Sequence, residues 1–349
     1  MAKASLITNL INIEYLTGFK SSNALILSTS KKHYLFTDGR YLEKAHKLEK
    51  KNKGRIPFTV LDIAAKKSET WDKIIKKHRI DTLHFEGNNL SINQLKNFKK
   101  RISGLKWKDG DRKSEQKRSQ KDLGEIRKLK KSQVINEQVF YSVRKFLKPG
   151  ISEIEVAQLI KHQCHDFGGD DISFEPIIGF GPHSSMPHHE NTSKKLKKGE
   201  LVLIDMGVFY KGYASDMTRM VFTKSPTPLQ EKVYNLVLES QEAAIQAMKP
   251  GISCKKLSKT ARKILKDANY EDKFTHSLGH GIGLEVHEAP TLSYRSPNTL
   301  KVGNVVTSEP GIYLPGKFGV RIEDMIVITR KGHQNITTAP KSIKDCILT

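Results

Sequence analysis

Three cysteines in 349 residues, none in a Cys-x-x-Cys pair, are too few and too scattered for a disulfide framework. Cys164, Cys254 and Cys346 read as packing thiols of a chain kept in a reduced, cytoplasmic compartment. Long hydrophobic runs are also missing. The longest, ALIL and LVLI, have strand length, so no stretch reads as a bilayer span. MAKASLITNLIN lacks both a continuous apolar core and a small-residue cleavage site, which argues against a secretory signal. Aromatics make up only 7% of the chain, and acids are outnumbered, 37 against 60 Lys and Arg, giving a net charge of +23. The excess is uneven, with 27 basic and 12 acidic residues in the first 120. Such charge gives non-specific attraction to polyanions. Its clusters, such as Lys50-Lys51, Lys99-Lys100-Arg101 and Lys197-Lys198, carry no interleaved aromatics, so nucleic acid is not the expected partner.

What is present divides the chain in two, residues 1–118 and 119–349. In the first part ALIL and HYLF predict the strands of a hairpin, and IPFTVLDI and DTLHFEG two more strands. WDKIIKKHRI has helical spacing, and SINQLKNFKKRI is a helix with Ser91 at its N-cap. Strands alternating with helices make this an α/β domain. The stretch 108–122, KDGDRKSEQKRSQKD, has no apolar residue and reads as a linker whose end opens the next helix.

The second part repeats itself. A long amphipathic helix from about Lys121 ends at Leu147-Lys148-Pro149-Gly150-Ile151-Ser152, and Ser152 with Glu155 forms a capping box for the next. The same run recurs as Met248-Lys249-Pro250-Gly251-Ile252-Ser253 between two further helices. Each helix pair is followed by strands, so an internal duplication is expected.

Those strands carry acids. Asp205 closes LVLID, Asp216 follows one turn later in YASDMTR, and Glu309 and Glu323 follow the strand-like runs of TSEPGIY and VRIEDM. His280 lies among glycines in HSLGHGIGLEVHE. Four carboxylates in one buried place require compensating cations. Hard oxygen donors with one imidazole suit Mn²⁺, Fe²⁺, Co²⁺ or Zn²⁺, and the set suffices for two ions that activate water.

The ordered motifs Asp205, Asp216, His280, Glu309 and Glu323 resemble those of the two-metal "pita-bread" peptidases, which include methionine aminopeptidase, Xaa-Pro aminopeptidase and prolidase. YLTGF and TDGRY, at residues 15–19 and 37–41, resemble the N-terminal domain of the creatinase, prolidase and Xaa-Pro aminopeptidase branch, which methionine aminopeptidases lack. The resemblance covers nearly the whole chain. It implies an α/β N-terminal domain, and an α+β pita-bread catalytic domain with an internal pseudo-twofold repeat. It implies two divalent ions, Mn²⁺ foremost, held by the five residues, and cleavage of the bond before a proline at the second position of a peptide. Its roles fall on Glu309 as ligand and general base, on His188 and His287 as groups acting on the scissile carbonyl, and on Arg321 as support for the ligands. His276, Arg295 and Tyr313 fall on substrate-binding positions. A homodimer is the implied assembly. An Xaa-Pro dipeptidase is the alternative activity. A non-catalytic binding module is a further one, disfavoured because all five ligands are intact. His189 reads as a bystander. Met217, Met220 and Ser308 depart from the family's usual residues at packing positions.

Overall fold

The computed structural model describes residues 2–51, 54–64, 67–110 and 112–348. The chain forms two compact units, residues 1–118 and 119–349.

The first unit is built as β1 (Ala2–Ile7), α1 (Leu10–Thr17), β2 (Ala24–Ser28), β3 (His33–Thr37), α2 (Leu42–Lys51), β4 (Thr59–Asp62), α3 (Lys67–His78), β5 (Ile80–Phe85), α4 (Ile92–Arg101), β6 (Lys106–Asp109) and α5 (Lys113–Ser119). Its six strands form one mixed sheet in the order β4-β3-β2-β1-β5-β6. The predicted hairpin is there, with Leu25 opposite Phe36 and Leu27 opposite Tyr34. Trp71 of α3 lies flat on Phe36, ring centroids 4.5 Å apart. Ser91 and Gln94 close a capping box on α4.

The stretch 108–122 is not the linker its composition suggests. It contains the end of β6 and the helix α5; Asp111 of this stretch lies outside the described residues. Lys, Arg, Glu and Gln are good helix formers, and here polar side chains take the partners that apolar ones would. Asn12 donates to Glu115 Oε1 (2.9 Å) and accepts from Arg118 Nη1 (2.9 Å).

The second unit runs α6 (Leu123–Arg144), α7 (Glu153–Asp166), β7 (Asp171–Ile172), β8 (Ile177–Phe180), β9 (Leu201–Met206), β10 (Val208–Tyr210), β11 (Tyr213–Ala214), β12 (Met217–Phe222), α8 (Pro228–Gln246), α9 (Cys254–Asp267), β13 (Gly279–Gly281), β14 (Glu288–Leu292), β15 (Val305–Ser308), β16 (Gly311–Leu314), β17 (Phe318–Arg321), β18 (Asp324–Thr329) and β19 (Gly332–Asn335). The duplication is visible in its hydrogen bonds. Gly150 N–H donates to Leu196 O, and Gly251 N–H to Leu300 O; Leu196 and Leu300 return bonds to Ile151 O and Ile252 O. Both glycines have positive φ, 99° and 83°, the left-handed turn that glycine takes without strain.

Two cores result. One packs α6 and α7 side chains such as Val139, Val156 and Ile160 with Val202, Ile204 and Met206. The other packs α8 and α9 side chains such as Val237 and Leu257 with Leu201 and Leu203. Strand β9 therefore alternates between cores and is buried on both faces, which is why it reads as an unbroken apolar run. Each Val, Leu or Ile fully buried there contributes roughly 1.5–3 kcal/mol. All three cysteines are buried and free.

Gly279 of β13 lies so close to β15 that an added Cβ would sit 2.1 Å from Thr307 O, a backbone atom that cannot swing aside. Gly279→Ala is expected to lower the denaturation midpoint, by a stability loss of about 1–3 kcal/mol, as overpacking does. Gly39→Ala, with nothing within 4 Å of the added carbon, is the neutral reference. Equal midpoints for the two variants would show that β13 has slack.

Candidate metal centre

Strand register assembles the acids. In the β9/β12 pair Asp205 faces Thr218, and Asp216 precedes the first residue of β12. In the β15/β18 pair Ser308 faces Asp324. Glu309 follows the first of these and Glu323 precedes the second, so the two glutamates extend the same ladder. Glu323 N–H donates to Thr218 O (3.2 Å), joining the halves of the site. His280 comes from β13, its N–H bonded to Thr307 Oγ1 (3.1 Å).

The five expected ligands meet. His280 Nε2 lies 3.2 Å from Glu309 Oε1 and 3.6 Å from Asp216 Oδ2. Asp216, His280 and Glu323 each offer a ligand atom within 4.8 Å of the others. Arg321 Nη2 donates to Asp205 Oδ2, and Arg321 Nε to Thr218 Oγ1 (3.0 Å), whose hydroxyl donates to Glu323 Oε2 (2.8 Å). Two buried oxygens, Asp205 Oδ1 and Glu323 Oε1, have no hydrogen-bond partner. An anionic oxygen buried without a donor is costly, and a cation at this point satisfies both. The donor set therefore fits divalent metal.

The electrostatics agree. Burial, and then the charge of Asp205 on Asp216 and of Asp216 on Glu323, pushes both carboxyls well above the ordinary range, and burial raises Asp205 despite Arg321. Burial acts to lower His280, but Glu309 and Asp216 outweigh it and bring its pKa to about 9. Burial acts to raise Glu309, but His280 holds it down to about 2. The sign of the linkage follows. Without metal, Asp216 and Glu323 hold protons that the unfolded chain has released, so their effect turns against the fold as pH rises above about 4. His280 stabilises below its ordinary 6.5 and loses this as pH rises to about 9. Glu309 stabilises above its ordinary 4.5, and that is lost only as pH falls towards about 2, outside the working range. Divalent ions displace the unfavourable protons, so the rise in Tm on adding Mn²⁺ is expected to be larger at pH 8 than at pH 5.5. Equal shifts at both pH values in scanning fluorimetry would remove the centre as the cause.

The other expected residues surround these. His287 stands edge-on to His280, centroids 4.2 Å apart, and burial with the His280 charge lowers its pKa. His188 and His276 line a cleft of about 660 Å³ with Pro182, His183, Met186 and Pro315. His276 Nδ1 lies 2.9 Å from Ser277 O, and its Nε2 2.8 Å from Tyr313 Oη. Tyr313 Oη in turn accepts from Arg321 Nη1 (2.9 Å). This chain fixes the tautomer: His276 donates from Nδ1 and accepts the Tyr313 proton at Nε2. Burial lowers the His276 pKa to about 4 and pushes Tyr313 up to about 12, so both stay neutral. Arg321 Nη1 also donates to Pro187 O (3.3 Å), beside His188. Arg295 is not brought in. It is exposed on the turn after β14, its guanidinium 5.1 Å from the Tyr294 ring.

Several working residues escape sequence reasoning. Thr218 links Arg321 to Glu323, a role its side chain does not announce. Arg219 is fully buried between methionines and binds Asp324 (2.7 Å), Thr218 O (3.0 Å), Glu323 O (2.6 Å) and Ala339 O (2.8 Å). A charge inside the strand MTRMVF is a readable sign of a buried partner. A second group that could hold a metal, Glu153, His183 and His189, lies apart from the five; His189, a bystander in sequence, is buried. Among the described residues no helix is long and apolar enough to cross a membrane.

Two family models match the chain, metallopeptidase family M24 over residues 127–330 and the Creatinase/Prolidase N-terminal domain over residues 2–120. An uncharacterized peptidase, YqhT, of Bacillus subtilis (strain 168) is 37% identical over 338 residues, 97% of this chain and 94% of the relative. The solved structure of Xaa-Pro dipeptidase from Bacillus anthracis matches at 33% identity with a TM-score of 0.92, covering 99% of this chain and 95% of that one. X-Pro aminopeptidase from Thermotoga maritima MSB8 matches at 33% identity with a TM-score of 0.87, covering 98% and 97%.

Proposed function

We propose that this chain, a peptidase that belongs to metallopeptidase family M24, is an Xaa-Pro aminopeptidase that releases the first residue of peptides with proline second. The observation that carries the reading is the pair of partnerless buried oxygens, Asp205 Oδ1 and Glu323 Oε1, in a cluster that already holds Asp216, His280 and Glu309. These five residues would hold two ions, Mn²⁺ foremost. When bound, the ions supply a polarised carbonyl and water acidic enough to attack at neutral pH. The rest of the work falls to the chain. Glu309, kept ionised by His280, accepts the proton of the attacking water. His287 and His188 would donate ring N–H groups to the oxyanion that develops on the scissile carbonyl. Arg321 keeps Asp205 and Thr218 in place, and through Tyr313 it fixes the His276 ring at the wall of the cleft. The bond before proline is a tertiary amide with no N–H, so the chain needs no acceptor for one.

Proline selection rests on the N-terminal domain type and on the proline-directed proteins that the chain resembles. Dipeptide hydrolysis is the second reading, favoured by the TM-score of 0.92 to the Bacillus anthracis dipeptidase. The exposed Arg295 would then have to move to hold a dipeptide carboxylate. The test is hydrolysis by Mn²⁺-loaded protein of Xaa-Pro-Yaa, Xaa-Pro and Xaa-Ala-Yaa. Cleavage of the first before proline, abolished by chelator, is expected. Cleavage of the dipeptide alone moves the assignment to dipeptidase, with Arg295→Ala the next variant. No cleavage by protein shown to hold metal would end the proline-peptidase reading. The same reading carries a homodimer, checked by light scattering across protein concentrations.

A further inference from the structure

Glu153 is the first residue of α7, and in the internal repeat its place is taken by Cys254 of α9. Its job is thus confined to one half of the duplicated unit. Its side chain is fully buried, and five donors converge on it. Oε1 receives Phe180 N–H (3.0 Å) and His183 Nδ1 (2.8 Å). Oε2 receives His189 Nε2 (2.9 Å), Thr192 N–H (3.0 Å) and Thr192 Oγ1 (2.7 Å). The two imidazole rings lie tilted by 46° to each other with centroids 4.4 Å apart.

As a purely hydrogen-bonded group this is crowded. A carboxylate has about four acceptor sites, and here two imidazoles both turn a ring nitrogen to one already held by three other donors. One cation in place of the two ring protons relieves the crowding. Phe180 N–H, Thr192 N–H and Thr192 Oγ1 then remain to orient the carboxylate, as outer hydrogen bonds do at metal sites. The spacing suits this. Glu153, His183 and His189 each offer one ligand atom, and these atoms lie within 4.8 Å of one another, near enough for small side-chain shifts to bring them to one ion at about 2.0–2.2 Å. Burial acts to raise the Glu153 pKa, but the His189, Phe180 and Thr192 bonds outweigh it, so the carboxyl is ionised and ready to ligate.

We propose that Glu153, His183 and His189 form a further metal site, selective for an imidazole-seeking divalent ion of the Zn²⁺, Co²⁺ or Ni²⁺ class and separate from the carboxylate-rich centre. Two imidazoles and one carboxylate favour such ions, whereas the four carboxylates elsewhere suit harder ones. Entry is from the 660 Å³ cleft, which His183 lines with its side chain 28% exposed. The ion ties the start of α7 to the loop after β8, which carries His188. It leaves His188 itself free to face the cleft.

The test counts metal. Untagged protein is stripped with chelator and dialysed against Zn²⁺ alone or Co²⁺ alone, and bound metal is measured by elemental analysis. The variant is His183→Asn with His189→Gln. The Asn amide stands near the place of Nδ1 and the Gln amide near that of Nε2, so both still donate to Glu153 but neither offers the imidazole nitrogen that Zn²⁺-class ions take. One equivalent fewer than wild type is expected, with loss of part of the histidine-bound Co²⁺ absorption and an unchanged circular dichroism spectrum. The control His162→Ala with His165→Ala removes two exposed histidines of α7 and keeps the wild-type count. Should the double variant fail to fold, His183→Asn alone, at the more exposed ring, decides by the same count. Equal counts in wild type and variant overturn the proposal and leave a hydrogen-bonded clamp. Asp216→Asn loses metal only at the other centre, so failure of that reading and of this one are told apart.

Discussion

Asp216→Asn will lose on the order of a thousandfold in kcat/KM against an Xaa-Pro-Yaa tripeptide, from the several kcal/mol that metal-assisted charge stabilisation supplies. The change is nearly isosteric, so packing around this buried residue stays as it is. What goes is one anionic ligand beside His280. The metal-free protein should gain from the same change. Its Asp216 carboxyl is buried next to Asp205, and both effects oppose the charge, so an amide removes an unfavourable group. The variant will thus show an unchanged or raised Tm without metal and a much smaller rise on adding Mn²⁺. Opposite shifts of this kind separate ligand loss from unfolding. A variant with wild-type activity and wild-type metal content would take Asp216 out of the centre.

Arg219→Ala carries the largest expected cost to the fold, about 3–5 kcal/mol, the usual result of removing one member of a buried ion pair. Asp324 would keep Lys341 (2.9 Å) and Asn335 (2.8 Å), but lose its shortest partner. The carbonyls of Thr218, Glu323 and Ala339 would lose a donor inside the protein. Two of these carbonyls belong to residues of the centre, so metal affinity should fall with stability. Hydrogen exchange of the β12 and β18 amides measures the loss where it occurs. Arg219→Met with Asp324→Leu should recover part of it, because replacing a whole buried pair by apolar groups is far less costly than stranding half of it. Protection factors unchanged in Arg219→Ala would mean that the pair contributes nothing net.

The sequence alone determined the chemistry and its order. Acids at the ends of apolar strand runs, one histidine among glycines and a repeated Lys-Pro-Gly-Ile-Ser are local signals, and local signals survive in a linear text. The helix starts at Ser91 and Ser152 were legible for the same reason, since a capping box spans four residues. The continuous run LVLI announced a strand, though not that two cores bury it on both faces. Other features exist only through contacts made far along the chain. Polar residues 113–119 fold as a helix because Glu115 and Arg118 find Asn12, about a hundred positions away. Thr218 and Arg219 act at the centre because antiparallel register sets one side chain of β12 toward Asp205 and the next into the opposite core. Glu153 gathers two histidines that look incidental in the sequence. His276 and Tyr313 are linked to each other and to Arg321, while Arg295 is left on the surface. Residue type and spacing state what a side chain can do; strand register, burial and the supply of partners decide which of those things it does, and these are set only when the chain has closed on itself.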